Sequence, residues 1–158
     1  MPALWAQPRW VRIVNANTGR NAEVCYWRDG TWDMAGYLEL SALLLDHREG
    51  LAVQLQPALF DLVYITQRWY EMAERKPART LITSGFRTPR TNRLVGGAPG
   101  GLHPQAAALD GRLEGVPLGV YARMLRAFQA GGVGLYTSHV HWDVGREPVF
   151  WLGGARES

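Results

Sequence analysis

The pattern of apolar and polar positions in the first half of the chain predicts a hairpin followed by two helices. Two β-prone stretches, Val11 to Val14 and Glu23 to Trp27, flank a cluster of turn formers at residues 15–19 and indicate the hairpin. Leucines at helical spacing predict a helix from Ala35 to about His47. Pro57 then opens a second helix, whose apolar face runs to about Ala73.

The second half alternates short β-prone runs with one more helix. In chain order we predict a strand at residues 80–83, a glycine-rich loop at 96–101, a strand at 106–113, a helix at 118–128, and a hairpin formed by 133–136 and 139–144. This order predicts an α+β domain in which a small antiparallel β-sheet packs helices on one face. We expect a single domain over residues 1–158, with its core at about residues 10–152.

Composition narrows the class of partner. Hydrophobic residues make up 47% of the 158-residue chain and charged residues 20%, which is typical of a globular protein and not of a disordered one. The formal charge of +3 suits an anionic polymer. Because the basic residues form no stripe and no DNA-binding spacing is present, we expect no nucleic-acid partner. The bacterial cell wall, which is also anionic, remains compatible.

Cysteine content and hydropathy exclude two further features. Cys25 is the only cysteine, so no intrachain disulfide can form. No apolar run reaches the length that spans a membrane. Residues 1–6 lack a basic region followed by an apolar stretch, so we expect no export signal in this sequence.

Three of the four histidines fall in two short segments, and this clustering suggests a metal site. His139 and His141 alternate along a predicted strand, so both project from one face. His103 and Asp110 can meet at one point if the chain bends between them, which Pro104 would favour. Two imidazoles, one carboxylate and an open fourth position form the ligand set of catalytic zinc. Spacing alone leaves hydrogen-bonded structural histidines as an equal alternative.

Such a site would supply hydrolytic chemistry. Zinc lowers the pKa of a water it holds to roughly 7 and polarises a scissile carbonyl. A general base near that water and a cation near the oxyanion would complete a hydrolase.

Motifs spread along the chain carry a resemblance to a known family. They are Ser84-Gly85-Phe86-Arg87-Thr88, Asn92, His103 to Asp110, Gly131-Gly132-Val133-Gly134-Leu135-Tyr136, and His141-Trp142-Asp143-Val144-Gly145. Together they resemble the D-alanyl-D-alanine metallopeptidases of the LAS zinc peptidase group. The similarity is closest to the YcbK-like murein endopeptidases, the murein endopeptidase K family, and it extends over nearly the whole chain.

The resemblance implies both a fold and an activity. The fold is the α+β type of the hedgehog and D-Ala-D-Ala peptidases, with Zn2+ bound by His103, Asp110 and His141. The activity is hydrolysis of peptidoglycan cross-links or stem peptides, in the periplasm or cell envelope. Arg87 matches the arginine that steadies the substrate carbonyl or the oxyanion; the alternative is that it only pairs with a carboxylate.

Two departures from the family pattern bear on the site. Ala106 stands where the family usually has Gly, and a positive φ there would cost about 1 kcal/mol or more. His139 replaces an apolar aromatic, which makes the segment resemble the His-x-His motif of LAS peptidases, whose first His assists the water. We therefore predict His139 as the general base. Asp143 is left with two alternatives, to orient His141 or to act as the base itself.

The sequence leaves three questions open. The resemblance favours cross-links between diaminopimelic acid residues, but carboxypeptidase action or a D,D bond is an alternative. The loop at 96–101 is either a lid or a flexible surface loop. The alternative to an enzyme is a catalytically impaired wall-binding module with cell-envelope or secretion-system partners.

Overall fold

The computed structural model describes residues 6–154, which form one eight-stranded sheet with four helices. The strands are β1 (Arg9–Asn15), β2 (Asn21–Arg28), β3 (Thr31–Trp32), β4 (Thr80–Ser84), β5 (Ala108–Leu113), β6 (Gly132–Leu135), β7 (Val140–Asp143) and β8 (Val149–Leu152). The helices are α1 (Met34–Leu43), α2 (Pro57–Glu74), α3 (Pro89–Leu94) and α4 (Leu118–Arg126). Residues 1–5, on which the expectation about an export signal chiefly rests, lie outside the described residues.

The sheet runs in the order β3-β2-β1-β4-β5-β7-β6-β8. This confirms the predicted α+β class. The sheet is larger than predicted and is mixed, because β1 pairs with β4 and β6 pairs with β8 in parallel, while the other neighbours are antiparallel. None of the helices within residues 6–154 is long and apolar enough to cross a bilayer.

The two faces of the sheet have different roles. Leu109 of β5 and Trp142 of β7 are fully buried in the apolar core, which also takes Phe60 from α2 and Tyr121 from α4. The ring of Tyr121 packs edge-on against Trp142, with centroids 5.5 Å apart. Because side chains alternate along a strand, the neighbours of these core residues point to the opposite face. That opposite face carries the polar residues of the site.

Most of the predicted elements are present, with differences at their ends. The first hairpin and α2 are confirmed. The predicted C-terminal end of the first helix, at about His47, is wrong, because the helix ends at Leu43. Beyond it, the Asp46 carboxylate accepts hydrogen bonds from the backbone N–H groups of Arg48 and Glu49, a turn that replaces further helix. Helix α3 was not predicted, although Thr88 caps it and Pro89 stands in its first turn.

Candidate active site

A row of cross-strand neighbours brings the central polar residues together. Read from β4 to β8, the row consists of Ser84, Asp110, His141, Gly134 and Trp151, each paired in register with the next. Directly opposed residues on one face of a sheet have Cβ atoms about 5 Å apart. The contact between Asp110 and His141 is therefore set by strand register.

His103 reaches this row from the turn that precedes β5. Its Nδ1 atom donates to the backbone carbonyl of Gly85 across 2.8 Å. The turn bends at Ala106, which has φ = 58° and whose N–H donates to the carbonyl of His103. The positive φ considered for Ala106 from the family pattern is thus present, and it accompanies the bend that directs the His103 ring toward Asp110.

The three side chains form a buried cluster that fits a metal ion. His103 Nε2 lies 3.1 Å from Asp110 Oδ1 and has no partner with hydrogen-bond geometry among residues 6–154. Because Nδ1 donates to Gly85, Nε2 is the ring atom left to bind a cation, and it faces a carboxylate oxygen. His141 Nδ1 lies 2.9 Å from the same oxygen. Ligand atoms of His103, Asp110 and His141 all lie within 4.8 Å of one another.

Burial and pairing oppose each other in the pKa values of this cluster. Burial raises the pKa of Asp110, but His103 and His141 outweigh it and hold that pKa well below its usual value. Burial lowers the pKa of His141, yet its hydrogen bonds to Asp110 and Asp143 raise that pKa to about 8. The metal-free cluster therefore holds a proton on His141 at neutral pH, at the atom that faces Asp110.

Asp143 contacts the far side of the His141 ring. Its Oδ2 atom accepts a hydrogen bond from His141 Nε2 across 2.8 Å, and its Oδ1 atom accepts one from the Gly132 N–H, also at 2.8 Å. Arg146 donates to both oxygens. Burial raises the pKa of Asp143, but the hydrogen bonds from His141, Arg146 and Gly132 lower it. These contacts are the ones that the orienting alternative for Asp143 requires.

Arg87 is buried and binds the Asp110 carboxylate at the oxygen that does not face His103 and His141. Its Nε donates to Ser84 Oγ at 2.8 Å, its Nη1 to Asn92 Oδ1 at 3.3 Å and its Nη2 to Asp110 Oδ2 at 2.8 Å. The pairing alternative considered for Arg87 is therefore present in the structure. Arg87 also lines the cleft described below.

His139 stands at the edge of the cluster. Its Nε2 atom lies 4.0 Å from Asp110 Oδ2, its Nδ1 atom is hydrogen-bonded to Ser138 Oγ at 2.9 Å, and its ring stacks on Tyr136 with centroids 4.6 Å apart. Burial lowers the pKa of His139, and the nearby His141 lowers it further, against the opposing effect of Asp110. His139 is thus a histidine beside the cluster whose surroundings favour its neutral form.

A cleft of about 540 Å³ opens onto the cluster. His103, His141 and Arg87 contribute to its floor, and the glycine-rich loop at residues 96–101 lines it as well. Trp151 and Arg146 line it too. The volume falls within the range of small-molecule sites.

Asn92 holds the glycine-rich loop at the rim of the cleft. Its Nδ2 atom donates to the carbonyl of Ala98 at 3.1 Å, while its Oδ1 atom accepts from Arg87. Gly97 packs so closely that a Cβ atom there would lie 2.0 Å from Asn92 Oδ1. The same amide therefore links the loop to the buried arginine.

Two residues that line the cleft, Arg146 and Trp151, were not predicted from the sequence. The ring of Trp151 lies 5.3 Å from that of His141, and its Nε1 donates to the Tyr136 hydroxyl at 3.0 Å. Trp151 belongs to β8, a strand that was not predicted. The β-prone run at residues 149–152 was the available signal.

Comparison with known proteins gives one family and a consistent set of relatives. The family model described as "Peptidoglycan L,D-endopeptidase MepK" matches residues 4–149. The peptidoglycan L,D-endopeptidase MepK of Escherichia coli K12 is 28% identical over 146 residues, covering 88% of this chain and 78% of the relative. A probable MepK of Haemophilus influenzae is 28% identical over 155 residues, covering 93% and 81%. No solved structure gives a significant match.

Proposed function

This chain belongs to the peptidoglycan L,D-endopeptidase MepK family of metallopeptidases, and on that premise we propose that it hydrolyses peptide bonds of the bacterial cell wall. The proposed cofactor is Zn2+, with His103, Asp110 and His141 as its ligands. The proposed location is the periplasm or cell envelope, where the wall lies. We further propose that residues 1–158 act as a single domain.

The observation that carries this proposal is the buried His103 Nε2 atom, which has no hydrogen-bond partner among residues 6–154 and lies 3.1 Å from Asp110 Oδ1. A second imidazole nitrogen faces the same oxygen. Two histidines and one carboxylate leave room for solvent at a fourth position, the pattern of catalytic and not structural zinc. Zinc bound there would acidify that solvent molecule and polarise the scissile carbonyl.

The protein side chains take distinct roles in the proposed reaction. In the tautomer whose Nδ1 donates to Ser138, His139 offers the Nε2 lone pair to accept a proton from the attacking water. The same atom then returns the proton to the leaving amine. Arg87 faces the cleft with a permanent charge and steadies the substrate carbonyl oxygen as negative charge develops there. Asp143 positions His141 and takes no proton itself.

The relatives are named L,D-endopeptidases, which supports an L,D bond as the one cleaved. We propose cross-links between diaminopimelic acid residues as the natural substrate, bound in the cleft of about 540 Å³ that opens onto the cluster. A D,D bond and carboxypeptidase action are the outcomes that product analysis would separate from this one.

Mass spectrometry of wall fragments tests the proposal directly. Purified peptidoglycan incubated with the protein and zinc should yield fragments cut at one class of bond, and His103→Ala should abolish the cutting. His47→Ala changes an exposed histidine of a turn and serves as the matched control, which should cut normally. Binding of wall without cleavage by the zinc-loaded protein would instead support the wall-binding module.

A further inference from the structure

Arg146 occupies an exposed position on the wall of the cleft. Its Nε and Nη2 atoms donate to the Asp143 carboxylate, and its guanidinium lies 4.9 Å from the centre of the Trp151 ring. The side chain is 42% exposed. Among the residues of the described range, 6–154, none accepts a hydrogen bond from its Nη1 atom.

Two glycines of β6 hold this position open. A Cβ atom at Gly132 would lie 2.5 Å from Arg146 Nη2 and 2.8 Å from its Nε. A Cβ atom at Gly134 would lie 2.5 Å from the Trp151 ring. The guanidinium is thus packed on the backbone at Gly132 and held by Asp143, so its outer edge has a defined direction at the cleft.

We propose that the Nη1–Nη2 edge of Arg146 binds a free carboxylate of the peptide substrate next to the scissile bond. This rests on the proposed function and names a substrate feature that the site recognises. An arginine fork matches a carboxylate at two points. In a cross-link between diaminopimelic acid residues, the carbon bearing the amide nitrogen also bears a free carboxylate, so the charge would lie beside the reacting bond.

The charges around the cleft agree with an anionic group. Arg87 and Arg146 both line it, whereas Asp143 is the one carboxylate among its lining residues within the described chain. Asp143 is itself paired with His141 and Arg146. Trp151, beside the guanidinium, offers a flat apolar surface for the neighbouring part of the peptide.

Two model peptides separate this proposal from a purely structural role for Arg146. One carries a free carboxylate on the carbon attached to the scissile nitrogen, and the other carries a carboxamide there. We expect the wild-type protein to prefer the acid by about 10- to 100-fold in kcat/KM, mainly through KM, as charged hydrogen bonds of this kind provide. Arg146→Gln should remove the preference, because the acid loses both the bound carboxylate and the support of Asp143, whereas the amide loses only that support.

Arg126→Gln is the matched control. That guanidinium also lies over an aromatic ring of β8, Phe150 at 4.0 Å, but it does not line the cleft. The Arg126→Gln variant should keep the preference for the acid peptide. If the wild type treats both peptides alike, or if Arg146→Gln slows both equally, Arg146 only holds Asp143 and the proposal is overturned.

A binding measurement keeps this test apart from the proposed hydrolysis. Calorimetry with metal-free protein and the amine-side product, as acid and as amide, reports carboxylate recognition without catalysis. We expect the wild type to bind the acid at least tenfold more tightly than the amide. Arg146→Gln should bind the acid and the amide with equal affinity. Equal affinities for the wild type would overturn the proposal, even if the protein cleaves the wall.

Discussion

His141 Nε2 donates a hydrogen bond to Asp143 Oδ2 across 2.8 Å, which leaves His141 Nδ1 facing Asp110 at 2.9 Å. A carboxylate behind a metal-binding histidine selects the ring tautomer and its orientation. Asp143 is itself held by the backbone N–H of Gly132. The imidazole is therefore aimed at the centre of the cluster before any ligand arrives.

Asp143→Asn should weaken zinc binding by about 10- to 100-fold, as loss of such a supporting carboxylate does elsewhere. The amide keeps the shape of the side chain but loses the charge that stabilises the ring orientation. Competition with a chelator measures the affinity. Asp29→Asn, at an exposed turn, is the control and should bind zinc normally. An unchanged affinity in Asp143→Asn would argue against a positioning role.

The metal-free protein should lose stability as the pH rises from about 6.5 to above 8. The pKa of His141 is raised to about 8 in the fold, against a usual value of about 6.5. The stabilisation from its charged form is therefore complete below about pH 6.5 and is lost as the pH passes 8, on the order of 2 kcal/mol in all. Denaturant unfolding at several pH values measures it. Excess zinc should cancel the loss, and a rise in metal-free stability over this window would contradict the prediction.

Arg87→Lys should keep zinc and lose activity by about 100- to 1000-fold, the cost of removing one oxyanion donor. The ammonium keeps a positive charge near Asp110 but cannot reach Ser84, Asn92 and the substrate together. Steady-state hydrolysis and bound-metal analysis of the same sample separate the two effects. Arg93→Lys, on the exposed side of α3, is the control. Full activity in Arg87→Lys would remove the proposed role.

His139→Asn should reduce kcat by about 100- to 10,000-fold with little change in KM, because it removes the proposed proton acceptor and leaves the proposed metal ligands in place. Ser138→Ala removes only the hydroxyl that hydrogen-bonds to His139 Nδ1, so kcat should fall much less in this variant. If His139→Asn cleaves at the wild-type rate, another group accepts the proton.

Ala106→Gly should stabilise the protein by roughly 0.5–1 kcal/mol, because Ala106 has φ = 58°, where a Cβ atom is strained. Ala107, its buried neighbour, has no positive φ, so Ala107→Gly should destabilise by a similar amount. Urea midpoints of the two variants give the comparison. A loss of stability in Ala106→Gly would show that the turn does not strain the alanine.

The local pattern of apolar and polar residues was enough to predict the secondary-structure elements that depend on neighbouring residues alone. The hairpin of β1 and β2 follows from two β-prone runs around a turn, and α2 follows from Pro57 and a long apolar face. The resemblance of short motifs to a family supplied His103, Asp110 and His141 as a group. The same resemblance drew attention to Ala106, because a family glycine at that position indicates a positive φ, which the structure has.

The partners of these residues depended on tertiary structure. Asp110 meets His141 because β5 and β7 pair in one register, and a shift of one residue would turn either side chain into the core. Three further contacts also join separate strands and loops. Arg87 binds Asp110, Asp143 binds Nε2 of His141, and Arg146 binds Asp143. The sequence alone determined which chemical groups are available. Only the fold decided their distances, because register and parallel strand addition are non-local.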